Sequence, residues 1–325
     1  MYTTKYHPKP LENLSFLITG GAGFIGSNLV EYLLKYKAKK VRVLDNFATG
    51  FRENLKKFET NPAFELLEGD IRDVETCKRA MAGIDYVSHQ AALGSVPRSI
   101  NDPVTSNDVN VSGFLNMLVA QNESETVKRL VYAASSSTYG DSKNLPKVED
   151  TIGKPLSPYA VTKLVNELYA DVFHTTYQTQ TIGLRYFNVF GPNQSPTGAY
   201  AAVIPLFMQA LKDEKSPTIN GDGEQTRDFT FVENAVQANV KAMFAGKEAV
   251  NEVFNVAYGE RISLNSLWAD LQAVSGKSLT AQHGPDRRGD VRDSLANIDK
   301  ARSLLGYNPL FSVKDGLKVT WKSFL

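Results

Sequence analysis

Phe16-Leu17-Ile18-Thr19-Gly20-Gly21-Ala22-Gly23-Phe24-Ile25-Gly26 is the stretch whose reading decides the fold. A short apolar run passes into a glycine-rich turn, and the residues after it keep helical spacing, with Ile25, Leu29, Tyr32 and Leu33 on one stripe. Strand, glycine turn and helix in that order are the context in which such a pattern binds a dinucleotide. Glycines let backbone N–H groups approach a pyrophosphate, and the start of a helix favours the anion. Gly20, Gly23, Phe24, Ile25 and Gly26 are therefore candidate cofactor contacts.

Outward from this turn the strand–helix rhythm continues. Lys40-Val41-Arg42-Val43-Leu44-Asp45-Asn46 reads as a second strand, ending in an acid at the spacing where a carboxylate accepts from adenosine ribose hydroxyls. A carboxylate repels a 2′-phosphate, so Asp45 favours NAD over NADP. Residues 64–71 read as a third strand ending near Asp70, which can reach an adenine amine. Residues 84–92 read as a fourth, with small Ala91 and Ala92 where a cofactor passes closely. A helix from about Pro103 to Asn122 carries Asn110. Residues 129–134 and 181–188 supply the fifth and sixth strands.

This alternation implies an α/β fold, a doubly wound parallel (Rossmann) sheet with helices on both faces. Beyond Asn188 the rhythm lapses, and a smaller C-terminal α+β domain is expected. We place the cofactor domain at residues 1–188, with a return at about 232–258, and a discontinuous substrate domain at 189–325. Residues 1–13, with two prolines and no periodicity, are expected to lie on the surface as an extension.

The fifth strand leads into Ser135-Ser136-Ser137-Thr138-Tyr139-Gly140, and Ser157-Pro158-Tyr159-Ala160-Val161-Thr162-Lys163 opens a long helix. Tyr159 and Lys163 lie one turn apart on one face. A nearby ammonium favours the phenolate, which predicts a tyrosine pKa lowered from about 10 toward neutrality. Such a tyrosine can take a proton from a substrate alcohol, and a serine at the strand end can share it. Arg227, Arg287 and Arg288 add cations that suit a diphosphate.

Composition narrows the function classes. Of 325 residues, 42% are apolar and 22% charged, and the net charge is +1, which gives no global field to attract nucleic acid or an acidic membrane. Cys77 is the single cysteine, so no internal disulfide forms, in keeping with a reducing cytoplasm. The four histidines are scattered without metal-ligand spacing, and no metal site is expected. No apolar run is long enough for a membrane span and the first residues are unlike a signal peptide, so neither membrane insertion nor secretion is expected.

Thr19-Gly20-x-x-Gly23-x-x-Gly26, Asp45-Asn46, Asp70-Ile71, Asn110-Val111-x-Gly113, Ser135, Tyr159-x-x-x-Lys163 and Leu184-Arg185-Tyr186-Phe187-Asn188 together resemble the extended short-chain dehydrogenases, from about residue 14 to the end. Within them the chain is most similar to nucleotide-sugar 4-epimerases, in particular those acting on UDP-N-acetylglucosamine. The resemblance implies tightly bound NAD⁺, contacted also by Asn46, Gly50, Ile71, Asn110, Tyr159, Lys163 and Tyr186. It implies that Tyr159 removes the sugar's 4-hydroxyl proton, that Ser135 bonds the 4-oxygen, and that the transient 4-keto sugar turns over before reduction from the other face. Related dehydratases carry an Asp-Glu pair after the catalytic Thr or Ser, where this chain has Ser136 and Ser137.

For the UDP-sugar the resemblance points to Asn188, Ala202, Val203, Asn220, Arg227, Arg287, Asp290 and Ser294, with Gly94, Ser95, Ser136 and Ser137 free to meet the sugar and its acetamide. Ser294 replaces a tyrosine of galactose-only epimerases, leaving room beside C2. A homodimer through the helices that begin near Pro103 and Pro158 is implied, and surface polysaccharide synthesis is the expected use. Two other readings stand beside this one. A UDP-glucuronate 4-epimerase would need a cation for the C5 carboxylate, for which Arg185 and Arg98 are candidates; a non-catalytic NAD-binding scaffold usually lacks the Tyr or the Lys.

Overall fold

The computed structural model describes residues 1–197, 201–285 and 292–325. Its centre is a sheet of seven strands: β1 (Ser15–Thr19), β2 (Lys40–Asp45), β3 (Phe64–Glu68), β4 (Tyr86–His89), β5 (Arg129–Ser135), β6 (Thr181–Tyr186) and β7 (Val253–Val256). They run in the order β7-β6-β5-β4-β1-β2-β3, and all neighbours are parallel. The chain winds outward one way from β1 and the other way from β4, so a crevice opens above their carboxyl ends, where open α/β sheets bind ligands.

Alternate side chains explain why both faces are covered. Phe16 and Ile18 of β1 face one core, with Leu29 and Leu33 of the Phe24–Lys35 helix and Val236 and Val240 of the Val232–Phe244 helix. Leu17 faces the other, with Cys77, Phe114, Met117, Ala170 and Phe173. A third core lies beyond Asn188, where Phe207, Trp268, Leu317 and Trp321 meet Phe190, Phe229 and Phe231.

The amino-terminal segment departs from the sequence reading. Tyr2 and Leu11 are fully buried, and Tyr6 and His7 nearly so. Tyr6 stacks on Tyr32 with ring centroids 5.5 Å apart, the Tyr2 hydroxyl donates to Asn28 Oδ1 (2.5 Å), and the Tyr2 N–H donates to Glu233 (2.9 Å). The segment has no periodicity because its backbone bonds to side chains rather than to a ladder, yet its aromatic rings still bury apolar area.

The helix expected from Pro103 to Asn122 is interrupted as well. It runs as Pro103–Asn107, a π-helical turn at Asp108–Ser112, and Gly113–Asn122. The strands expected at 64–71 and 84–92 end early, at Glu68 and His89. Asp70, Ile71, Ala91 and Ala92 therefore sit in loops at the carboxyl edge of the sheet rather than in strands.

Candidate active site

A cavity of about 520 Å³ lies over the carboxyl ends of β1, β2, β4 and β5. Gly20, Gly23, Phe24, Ile25, Gly26, Asp45, Asn46, Gly50, Asp70, Ile71, Ala91 and Ala92 all line it, joined by Gly94, Ser135, Tyr159, Lys163, Tyr186 and Asn188. The turn after β1 is cut to a backbone-only fit. Gly20 has φ +67°, and a Cβ there would stand 2.7 Å from the Ala91 nitrogen; at Gly26 it would stand 2.2 Å from the Gly20 oxygen. The Phe24–Lys35 helix starts at Gly23 with no side-chain cap, so its first-turn N–H groups remain for an anionic ligand.

Two acids mark the opposite end. Asp45 accepts from the N–H of Ala22 (2.9 Å) through one oxygen and from the N–H of Phe47 (2.8 Å) through the other. Each oxygen keeps a lone pair for a ribose hydroxyl. Burial pushes the Asp45 pKa up, against the pull of these N–H bonds. Asp70 is held down to about 2, chiefly by Arg72, and accepts from Asn46 Nδ2 at 2.8 Å. Backbone cradle, uncapped helix and fixed carboxylate together fit a dinucleotide such as NAD.

Asn110 does not line the cavity. The π-helical turn aims its amide at the loop after β4, where Oδ1 accepts from the Leu93 N–H (2.8 Å) and Nδ2 donates to the Leu93 oxygen and to Thr162 Oγ1 (both 3.2 Å). It ties the cavity floor to the helix that carries Tyr159.

That helix, Pro158–Tyr177, is capped by the Ser157 hydroxyl on the Ala160 N–H, and the Tyr159 N–H donates to Ser99 Oγ (2.9 Å). Lys163 differs from expectation. Its Nζ donates to the Ala133 oxygen at 2.8 Å and lies over the Tyr159 ring, 5.9 Å from the centroid. The β5 carbonyl is the acceptor its long side chain takes. Burial raises the Tyr159 pKa, and the opposing influence is the Ser135 hydroxyl rather than the lysine. Lys163 itself is lowered by burial to about 8.

Ser135 gains its role from Ser137. Ser135 Oγ accepts from both the N–H (3.1 Å) and the hydroxyl (2.8 Å) of Ser137. A hydroxyl has two acceptor positions and one proton, so the Ser135 proton is left to donate into the cavity. Ser136 and Ser137 do not line the cavity, and Ser95 instead caps the Val96–Asn101 helix by accepting from the Arg98 N–H (3.2 Å). Sequence reading missed Gln90 and Asn239, which hold the Tyr186 hydroxyl at 3.2 and 2.7 Å. Nothing local marked them, because their elements meet only in the folded sheet.

A second cavity, about 490 Å³, opens beyond Asn188 and Val189, which line both. Ala202, Val203, Asn220 and Arg227 line it, with Phe207, Ile219, Phe229 and Leu264 as apolar walls. Asn188 Nδ2 donates to the backbone oxygen of Asp228 (3.1 Å), a fully buried acid whose carboxylate accepts N–H bonds from Tyr258, Gly259 and Ala296. Burial raises that carboxyl to about 7. Ser294 lines neither cavity among the described residues; its N–H donates to the Thr226 oxygen (3.1 Å), next to Arg227. Arg287, Arg288 and Asp290 lie outside the described residues.

Arg185 is not available to a ligand. Its guanidinium pairs with Glu167 at 2.7 Å, both side chains being buried, and lies 4.9 Å from the Tyr139 ring centroid. Arg98 lines neither cavity. Among the described residues no His, Cys, Asp and Glu cluster could hold a metal, and no helix is long and apolar enough to cross a membrane.

Known proteins share this fold. Residues 16–257 match the family model "NAD dependent epimerase/dehydratase family". A UDP-glucose 4-epimerase of Mycolicibacterium smegmatis is 34% identical over 309 residues, covering 95% of this chain and 97% of its own. A UDP-N-acetylglucosamine 4-epimerase from Methanobrevibacter ruminantium, solved with UDP-N-acetylmuramic acid, superposes with a TM-score of 0.91 at 35% identity, covering 96% of this chain and 98% of that one. A UDP-glucuronic acid 4-epimerase from Bacillus cereus, solved with UDP-glucuronic acid and NAD, gives 0.88 at 32% identity, covering 95% and 98%. The glycine cradle, the strand-end acid and the shared sheet converge on one conclusion: NAD is the cofactor, and the chain belongs to the NAD dependent epimerase/dehydratase family.

Proposed function

We propose that this chain is a UDP-sugar 4-epimerase whose substrate pair is UDP-N-acetylglucosamine and UDP-N-acetylgalactosamine. One observation carries the epimerase reading: among the described residues, Tyr159 and Ser135 share a cavity wall that holds no carboxylate beside them. The acids of that lining are Asp45, at the end of β2, and Asp70, just beyond the end of β3, three and four strands, or about 14 and 19 Å, from β5. Elimination of water would need an acid and a base at the sugar, whereas epimerisation needs proton transfer at one oxygen.

In this reading Tyr159 must ionise against the burial that raises its pKa, and the ionised oxygen accepts the 4-hydroxyl proton and later returns it. Ser135 donates toward the same oxygen, and Ser137 keeps that donation aimed. Lys163, fixed to the Ala133 oxygen, sets the cationic side of the site and bonds the nicotinamide ribose. NAD, when bound, supplies the oxidising equivalent that takes the C4 hydride and gives it back. Gly20, Gly23, Phe24, Ile25 and Gly26 hold its pyrophosphate, and Asp45 its ribose. Asn188 and Arg227 anchor the diphosphate at the join of the two cavities, so the sugar ring can turn in the first.

Two features support the acetamido substrate. Ser294 is small and stands beside the Arg227 strand, and Arg185, the strand cation a uronate would want, is committed to Glu167. The test is to incubate the enzyme with UDP-N-acetylglucosamine, UDP-glucose and UDP-glucuronate separately and identify products by NMR. UDP-N-acetylgalactosamine is expected to form fastest, and conversion of UDP-glucuronate alone would overturn the assignment. Ser294→Tyr is expected to slow UDP-N-acetylglucosamine at least about tenfold more than UDP-glucose.

We extend the reading to a homodimer. Val161, Leu168 and Val172, on one stripe of the Pro158–Tyr177 helix, are each about half exposed, and Val104 nearby is 78% exposed. A second copy would cover them in a four-helix interface, and light scattering should give twice the chain mass, with Leu168→Glu giving a monomer. A single buried thiol, Cys77, suits a reducing cytoplasm, and surface polysaccharide synthesis is the use proposed for the product.

A further inference from the structure

Ser137 can direct the Ser135 proton only while the turn that carries it is held still, and the structure shows what holds it. That turn, Ser136–Tyr139, closes on a tyrosine that is almost wholly buried. The Tyr139 hydroxyl donates to Asn255 Oδ1 at 2.6 Å. Its ring meets the Arg185 guanidinium, 4.9 Å from the centroid, and Phe187, 5.9 Å between centroids.

The direction of the hydroxyl bond is settled by the other half of the Asn255 amide. Nδ2 donates to the backbone oxygens of Lys147 (3.0 Å) and Asn297 (2.9 Å), which can only accept. Both amide hydrogens are used there, so the oxygen is what faces Tyr139. Asn255 is fully buried in β7, and its N–H donates to Glu149 Oε1 (2.8 Å). The two carbonyls it grips belong to segments that also bond each other. The Lys147 N–H donates to the Leu295 oxygen (2.7 Å) and the Asn297 N–H to the Lys147 oxygen (2.9 Å). Tyr139 is therefore tied to a frame and not to a loose side chain.

What the tie does follows from the shortness of the turn. Ser137, just ahead of Tyr139 in it, fills both acceptor positions of Ser135 Oγ, and the Thr138 hydroxyl between them donates to the Ser135 backbone oxygen (2.8 Å). A shift at the tyrosine end carries Ser137 with it. An emptied acceptor position then lets the Ser135 hydroxyl rotate its proton away from the cavity. On the reading of the chain as a UDP-sugar 4-epimerase, we propose that Tyr139, anchored by Asn255, is a positioning residue for proton transfer. It acts through Ser137 to keep the Ser135 hydroxyl aimed at the sugar's 4-oxygen.

Steady-state kinetics of the full chain, with the UDP-sugar that wild type converts fastest, test this. Tyr139→Phe keeps the ring and removes only the hydroxyl. It is expected to lower kcat about fivefold or more, with KM and NAD retention changed by less than about twofold, because aim and not affinity is lost. The deciding measurement is a double-mutant cycle with Ser135→Ala, which removes the hydroxyl to be aimed. In that background Tyr139→Phe should cost less than about twofold more. A loss that multiplies in full means that Tyr139 acts by a route other than Ser135, and overturns the proposal. An unchanged kcat, or a rise in KM alone, in Tyr139→Phe overturns it too. Ser137→Ala, which leaves the buried frame intact, should repeat the pattern, and full activity in that variant is equally fatal. Wild-type protein that epimerises no UDP-sugar would bring down the epimerase reading itself, and this proposal with it.

Discussion

The two cavities that meet at Asn188 and Val189 are built from different material. The first holds its candidate cofactor site with backbone: glycines without room for a Cβ, an uncapped helix start, and a carboxylate fixed by two N–H groups. The second is lined by side chains from segments spread between residues 188 and 264, among them Arg227, Asn220 and Gln225. Backbone sites tolerate few substitutions because any added atom collides, whereas side-chain sites change specificity one residue at a time.

This contrast can be broken by experiment. The largest effect is expected at the join with the chemistry: Tyr159→Phe should lower kcat about 10³-fold or more while UDP binding is kept, since the phenol is assigned to proton transfer and not to affinity. Activity near wild type would favour a scaffold. Gly26→Ala comes next. A methyl 2.2 Å from the Gly20 oxygen must displace the turn, so NAD retention after gel filtration should fall by about tenfold or more, with UDP affinity much less changed. Equal losses of both ligands would mean that the cavities are not separable.

Acidity supplies a third test. Lys163, nearly fully buried, titrates at about 8, so its ammonium is lost as pH rises through that value. The alkaline limb of the kcat profile should follow, and Lys163→Arg, which keeps its charge, should flatten it. Stability moves the other way. Between about 8 and 10.4 the unfolded chain binds the proton that the folded lysine has released, so this group makes stability rise with pH in that window. Thermal melts of wild type against Lys163→Met check the sign.

The smallest effect belongs to the amino-terminal segment, outside both cavities. Tyr2→Phe removes the hydroxyl that donates to Asn28, whose amide in turn bonds the Phe24 and Pro192 oxygens at 2.9 and 3.0 Å. A loss of about 1 kcal/mol is expected, read as a modest fall in Tm with kcat unchanged. A large drop in NAD affinity would show that the segment steers the cofactor helix as well as covering it.

Several features could be read from residues alone, and they share a property. The glycine turn, Asp45, and the Tyr159 and Lys163 pair are each specified within one turn of chain, where spacing fixes which atoms share a face or an edge. The apolar runs, alternating with helical spacing, likewise pointed to a parallel sheet, since each run must be buried on both sides, whereas the spatial order of its strands came from the fold. Only the tertiary structure decided the rest. It turned Lys163 onto the Ala133 oxygen, committed Arg185 to Glu167, let Ser137 direct the Ser135 proton, and buried residues that looked like a surface extension. Those outcomes depend on which acceptor or apolar surface lies within a few ångströms after folding. Neighbours of that kind come from distant parts of the chain, so no local pattern records them.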